Sequence, residues 1–160
     1  MITVEINDAL ITAALANAIG QLDDMSDLMG DIALAMRDQT KDRFAEQKSP
    51  EGIPWAPRSA TTLAAYDRRA KKAGGVASWG GVLHYSRQLS GQISAAFGPD
   101  FAEVTSAEPY AAMMQFGGTK TRFPHLWGDI PARPFLGLSD ENREDILDVI
   151  SEALSAALAP

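Results

Sequence analysis

The sequence predicts an α+β fold: a small, mostly antiparallel sheet packed with two to four helices, ending in a long C-terminal amphipathic helix. Three observations carry this. Gly98-Pro99-Asp100 is a turn signal between two strand-like runs, Gln92 to Phe97 and Phe101 to Thr105, which makes a hairpin. Ile2, Val4 and Ile6 alternate with Thr3, Glu5 and Asn7, the period of a strand with one buried face. Ile146, Ile150, Ala153, Leu154 and Ala157 recur at i, i+4, i+7, i+8 and i+11, the spacing of one helix face.

The elements follow in order. After the first strand, Asn7-Asp8 offers a helix cap, and Ala9 to Leu22 is rich in Ala, Leu and Ile, with Gly20 weakening the end. Ser26 can cap a second helix, whose apolar stripe holds Leu28, Ile32, Ala35 and Met36 and extends to Phe44. Arg37, Asp38, Lys41, Asp42 and Arg43 read as its polar side. Ser49 to Pro57 is a loop with three prolines, and Trp55 is its expected anchor. Thr61 to Lys72 is a short helix with a basic end, followed by a flexible glycine-rich loop over about residues 73–82. Ser90-Gly91 reads as the turn before the hairpin. Tyr110 to Phe116 is a short helix closed by Gly117-Gly118. Residues 119–129 read as loop or a further strand pair. Ser139 caps the last helix, and Asp140 and Glu141 suit its positive end.

At 160 residues the chain reads as one domain, 1–160, able to bury about 70% of its unfolded surface. It has no cysteine, which excludes disulfides and thiolate metal sites and agrees with a reducing compartment. No run approaches the roughly 20 apolar residues of a membrane span, and residues 1–7 lack the pattern of a signal peptide, so the expectation is a cytoplasmic protein with no membrane partner. The net charge of −7 is unevenly spread. Acids dominate the first 31 residues and the segment after Ser139, whereas Arg58, Arg68, Arg69, Lys71, Lys72 and Arg87 face only Asp67 between positions 58 and 87. Opposite patches on one small molecule suit head-to-tail association; solvated helix faces are the plainer account.

Catalytic and metal motifs are weak. His84 and His125 lack zinc-ligand spacing; His125 with Asp129 is at most a loose metal pair. No serine sits in a nucleophile elbow, and Gly74-Gly75 and Gly80-Gly81 lack the Gly-Lys-Ser/Thr of a phosphate loop. The acid pairs Asp23-Asp24 and Asp140-Glu141 already have a role as helix-start residues. The expectation is a protein that is not an enzyme and needs no cofactor. Arg68, Arg69, Lys71 and Lys72, with Tyr66 before and Trp79 after, form a basic cluster that suits a solvated helix end, a contact between subunits, or non-specific contact with DNA.

The densest signal is Ile130-Pro131-Ala132-Arg133-Pro134-Phe135-Leu136-Gly137, a stiff segment that fixes the direction of one cation. Together with Arg43-Phe44 and Ser49-Pro50-Glu51-Gly52-Ile53-Pro54-Trp55-Ala56-Pro57, with Leu89-Ser90-Gly91-Gln92-Ile93, and with Tyr110 to Gly118, it resembles, in order and spacing, the phage virion morphogenesis proteins of P2-like and Mu-like phages. The resemblance covers roughly residues 25–158. It implies a structural protein that caps the head-proximal end of the tail and takes part in head–tail joining. It further implies a homo-oligomer, a hexameric ring, meeting the tail tube protein and neck or connector proteins, in the virion after assembly in the host cytoplasm. A head-side connector or adaptor is the alternative, and a virion-associated hydrolase a third reading.

For single residues, Trp55 is expected to be core or loop anchor, Phe135 and Leu136 core, and Gln115-Phe116 fold-specifying. Arg133 is expected either to form a salt bridge, within or between subunits, to an acid at the start of the last helix, or to face solvent in a tight turn.

Overall fold

The structure, a computed structural model, describes residues 1–2, 4, 7–20, 22, 24–75, 81–83, 87–126 and 128–157. Trp79, His84 and part of the expected glycine-rich loop lie outside the described residues, as does Ile6 of the first expected strand. Among the described residues the chain forms six helices and one two-stranded sheet. The helices are α1 (Ala9–Ile19), α2 (Ser26–Glu46), α3 (Ala60–Lys72), α4 (Gln88–Gly91), α5 (Ala111–Phe116) and α6 (Asp140–Ala157). The strands β1 (Ile93–Gly98) and β2 (Phe101–Ser106) pair antiparallel in register Ile93 with Ser106 to Gly98 with Phe101. The α+β class therefore holds, with a hairpin for its sheet.

Some boundaries differ from the sequence reading, each for a local reason. Ser90 and Gly91 belong to the short helix α4, and β1 starts at Ile93. Ser26 is the first residue of α2 rather than its cap; Asp24 accepts the Ser26 amide at 2.8 Å. Ile2 meets the sheet at one bridge, its N–H reaching the Ser106 carbonyl at 3.2 Å on the outer edge of β2. Residues 119–126 are turns, and the expected further strand pair reduces to the Gly118–Ile130 bridge.

Helix α2 is the spine. Its first half contributes Leu28, Met29 and Ile32 to an apolar cluster with Ala18, Met25, Ile146 and Ile150, so α1 and α6 pack here. Its second half contributes Phe44 to a second cluster with Trp55, Leu89, Ile93, Val104, Ala111, Phe135 and Leu136. The last helix thus packs on α2 and α1, with α2 in turn on the hairpin. Helix α3 is the outlier: it buries no residue and contributes to neither cluster.

Asp8 ties two of these helices. Its Oδ1 accepts the amides of Leu10 and Ile11 at the start of α1, and its Oδ2 accepts from Arg143 Nε of α6. The Arg143 bond first, then the Ile11 amide, holds the Asp8 carboxyl below its ordinary range. A depressed carboxylate stabilises the fold above its unfolded pKa, and this is lost as pH falls through the lower folded value. Asp8→Asn should therefore be less stable than the native chain at neutral pH. The gap should close below about pH 4, as read from urea midpoints across the acid range.

Candidate functional site

The stiff segment 130–137 has no regular hydrogen-bond ladder, yet past the exposed Pro131 and Ala132 it buries Arg133, Phe135 and Leu136. Buried main-chain groups without partners are costly, so they must be met one by one. At its start, Ile130 exchanges both main-chain bonds with Gly118, at 2.8 and 2.9 Å. The Arg133 amide donates to the Met114 carbonyl at 2.7 Å. From Pro134 onward, side chains take over.

Trp55 Nε1 donates to the Pro134 carbonyl at 2.8 Å. Gln115 behaves as a short piece of β-ladder: its Oε1 accepts the amides of Phe135 and Leu136 at 2.9 and 3.0 Å, and its Nε2 donates to the Leu136 carbonyl at 2.8 Å. Arg43, reaching out from the end of α2, donates through Nη1 to the carbonyls of Phe135 and Gly137 at 2.9 and 3.0 Å. Its Nη2 donates to Asn142 Oδ1. Asn142 also completes the cap of α6: its amide donates to Ser139 Oγ at 3.1 Å, and its Oδ1 accepts the Ser139 amide. A planar guanidinium with five donors can serve three acceptors at once; a lysine ammonium on its flexible stem cannot match that fork.

Arg133 works in the opposite direction. Its Nε donates to the Ala56 carbonyl at 2.8 Å and its Nη2 to the Pro57 carbonyl at 3.0 Å. The expected acid partner at the start of α6 is replaced by two loop carbonyls of the same chain, and it is Arg43 that reaches α6. Burial lowers the pKa of both arginines; Glu51 and Glu46 partly offset this at Arg43, whereas nearby Arg58 adds to it at Arg133. A guanidinium stays charged even so, and carbonyl dipoles stand in for counter-ions.

Apolar contacts complete the clasp. The Phe44 ring meets Trp55 edge-on and Phe135 at a tilt, each at 5.4 Å between centroids. Phe135 is 0% exposed. Gly137, at φ 151°, lies where a Cβ would come within 2.7 Å of Pro50 Cγ, so the proline loop closes directly over the segment. Gly117 is tighter still: at φ 68° and ψ −175°, a Cβ would lie 2.7 Å from both the Ala132 nitrogen and the Ile130 carbonyl oxygen. Main chain cannot swing aside there. Gly117→Ala should cost about 3 kcal/mol and lower Tm on the order of 10 °C in a calorimetric scan.

The residues singled out by sequence divide into two groups. Trp55, Gln115, Arg133 and Phe135 converge on the clasp and are buried. Phe116, next to Gln115, is 65% exposed. Arg68, Arg69, Lys71 and Lys72 are exposed on the second half of α3, away from the clasp. Arg43 was assigned to the polar side of α2, yet it is buried and holds the centre of the site. The missed signal is its spacing: Met36, Thr40, Arg43 and Phe44 fall at i, i+4, i+7 and i+8, which puts an arginine on the apolar stripe. Asp129, the suggested partner of His125, accepts the Lys120 amide at 2.7 Å. Among the described residues no group of three or more His, Asp or Glu is placed to hold a metal ion, and no helix is long and apolar enough to cross a membrane.

The site thus uses its polar side chains to hold main chain, and what it defines is an α+β protein with an internal, structural clasp. The chain belongs to the phage virion morphogenesis family, whose model matches residues 6–155. It is 32% identical over 128 residues to protein G of Escherichia phage Mu, provisionally named for capsid assembly, covering 79% of this chain and 78% of that one. It is also similar to two Mu-like prophage proteins of Haemophilus influenzae. FluMu G protein 2 is 30% identical over 95% of both chains, and FluMu G protein 1 is 27% identical over 86% of this chain and 84% of its own. No solved structure matches the chain. Its role is accordingly structural, in phage particle morphogenesis.

Proposed function

We propose that this chain is the subunit of a ring that completes the head-proximal end of a phage tail and presents the surface to which the filled head joins. The ring is a homo-oligomer of six copies, in contact with the tail tube protein and with neck proteins, assembled in the host cytoplasm and retained in the virion. The clasp is the observation that supports this most. The four ordered motifs hold one another together inside a single chain, so each subunit arrives fully folded and leaves its outer helices for neighbours. A virion hydrolase draws no support from the clasp, whose polar side chains bind main chain. A head-side adaptor is the second reading, favoured by the name of the phage Mu relative.

Electron microscopy of particles made without this protein tests the proposal. Filled heads detached from tails of abnormal length are expected. Normal tails beside leaking heads would move the protein to the head side, and intact infectious particles would contradict both readings.

A further inference from the structure

Helices α3 and α6 carry opposite charges that the described fold leaves unmatched. On α6, Glu141, Asp145, Asp148 and Glu152 fall at i, i+4, i+7 and i+11, all exposed, on a stripe turned away from the buried Asn142, Ile146 and Ile150. At a rise of about 1.5 Å per residue the stripe runs on the order of 17 Å. Like charges three and four residues apart work against their own helix. The one base of α6, Arg143, is engaged with Asp8 and Asp140 instead. Among the described residues none of the four stripe acids has a cationic partner; Asp145 accepts from the neutral Gln39 Nε2 of α2 at 2.8 Å.

Helix α3 is the complement. Arg68, Lys71 and Lys72 share one exposed face, bordered by the single acid Asp67 and continued toward the N-terminus by the small residues Thr61 and Ala64, which let another helix approach closely. Among the described residues these cations have no acidic partner. The opposite face, with Tyr66 under Arg58 at 5.4 Å, looks back to the loop whose carbonyls Arg133 holds. The clasp therefore fixes the base of α3, while its cationic face is left for something else.

We infer that the cationic face of α3 docks on the acidic stripe of α6 in a second copy of this chain. The two surfaces differ, so the contact is head-to-tail, and its repetition builds a ring, where the rotation closes, rather than a two-fold dimer. Charge complementarity selects the second copy: a net charge of −7 disfavours a polyanion as the main partner, whereas the same sequence supplies a matching acidic surface. This contact rests on the ring reading above and names its surfaces.

The test is sedimentation velocity of the full chain over a range of concentration and salt. The variants are Arg68→Glu with Lys72→Glu, Asp148→Lys with Glu152→Lys, and all four together. The native chain should self-associate, less so at high salt. Each reversed pair should weaken association about tenfold or more, and the fourfold variant should recover most of it. All altered residues are exposed, and the recovery arm separates lost contact from lost folding. Association unchanged in both reversed pairs would overturn the docking surface and leave the ring reading standing. A native chain that stays monomeric at every concentration would contradict both. Loss of retention on a duplex DNA probe by Arg68→Glu with Lys72→Glu, with self-association intact, would assign α3 to DNA instead.

Discussion

Arg43→Ala should lower folding stability by about 4 kcal/mol, read as a shift of the urea midpoint with little change in slope. The substitution strands the carbonyls of Phe135 and Gly137 and removes the charged donor of Asn142 Oδ1, which keeps only the Ser139 amide. Each buried acceptor left unpaired costs about 1–3 kcal/mol. The lost charged bond to Asn142 adds to these two penalties, and relief of the buried cation's desolvation returns part of the sum. A domain of ordinary stability, about 5–15 kcal/mol, would be brought close to its threshold. Arg43→Lys should recover only a fraction, because one ammonium cannot reach all three acceptors. Full stability in Arg43→Lys would mean that the fork geometry is irrelevant.

The second large effect is at Gln115. Gln115→Leu keeps the size of the side chain and removes its polar end, stranding the amides of Phe135 and Leu136 and the Leu136 carbonyl. A loss of about 3 kcal/mol is expected from unfolding curves. Arg43 and Gln115 also grip the same residue from two sides, since Gln115 takes the Phe135 amide and Arg43 its carbonyl. Their double variant should therefore be non-additive by about 1 kcal/mol or more. Strict additivity would mean the two side chains act on independent pieces of structure.

The fold was largely legible because periodicity and turn chemistry are local. The α6 stripe, the Pro99-Asp100 turn and the Asp8 cap are all written within a few residues of where they act. Of the expected first strand, Ile2 bridges to Ser106, while Thr3, Glu5 and Ile6 lie outside the described residues. The candidate site was legible in part. The order of the motifs marked residues 130–137, and the apolar pair Phe135-Leu136 marked its buried end. The partners were not legible. A main-chain carbonyl has no residue type, so nothing in the sequence announces that Arg133 ends on Ala56 and Pro57. The two expectations for Arg133, an acid or solvent, both overlooked main chain because a sequence names side chains and not the carbonyls between them. Arg43 was hidden for a related reason: an arginine in a charged run reads as solvated, unless its place on the apolar stripe is weighed more heavily than its type.

The described residues thus divide between a clasp that one chain completes and the exposed faces of two helices, α3 and α6, whose opposite charges have no ion-pair partner apart from Asp140 and Arg143. Helix α3 embodies this division, standing on the clasp and burying none of its residues.

Hydrogen exchange of the Phe135 and Leu136 amides in the dilute, unassembled chain tests this division most directly. If the clasp is internal to one chain, both amides should exchange only with global unfolding, as slowly as the central amides of α2. Fast exchange in the dilute chain, with protection appearing only on assembly, would show that the motif segment is completed by a neighbour and would contradict the account.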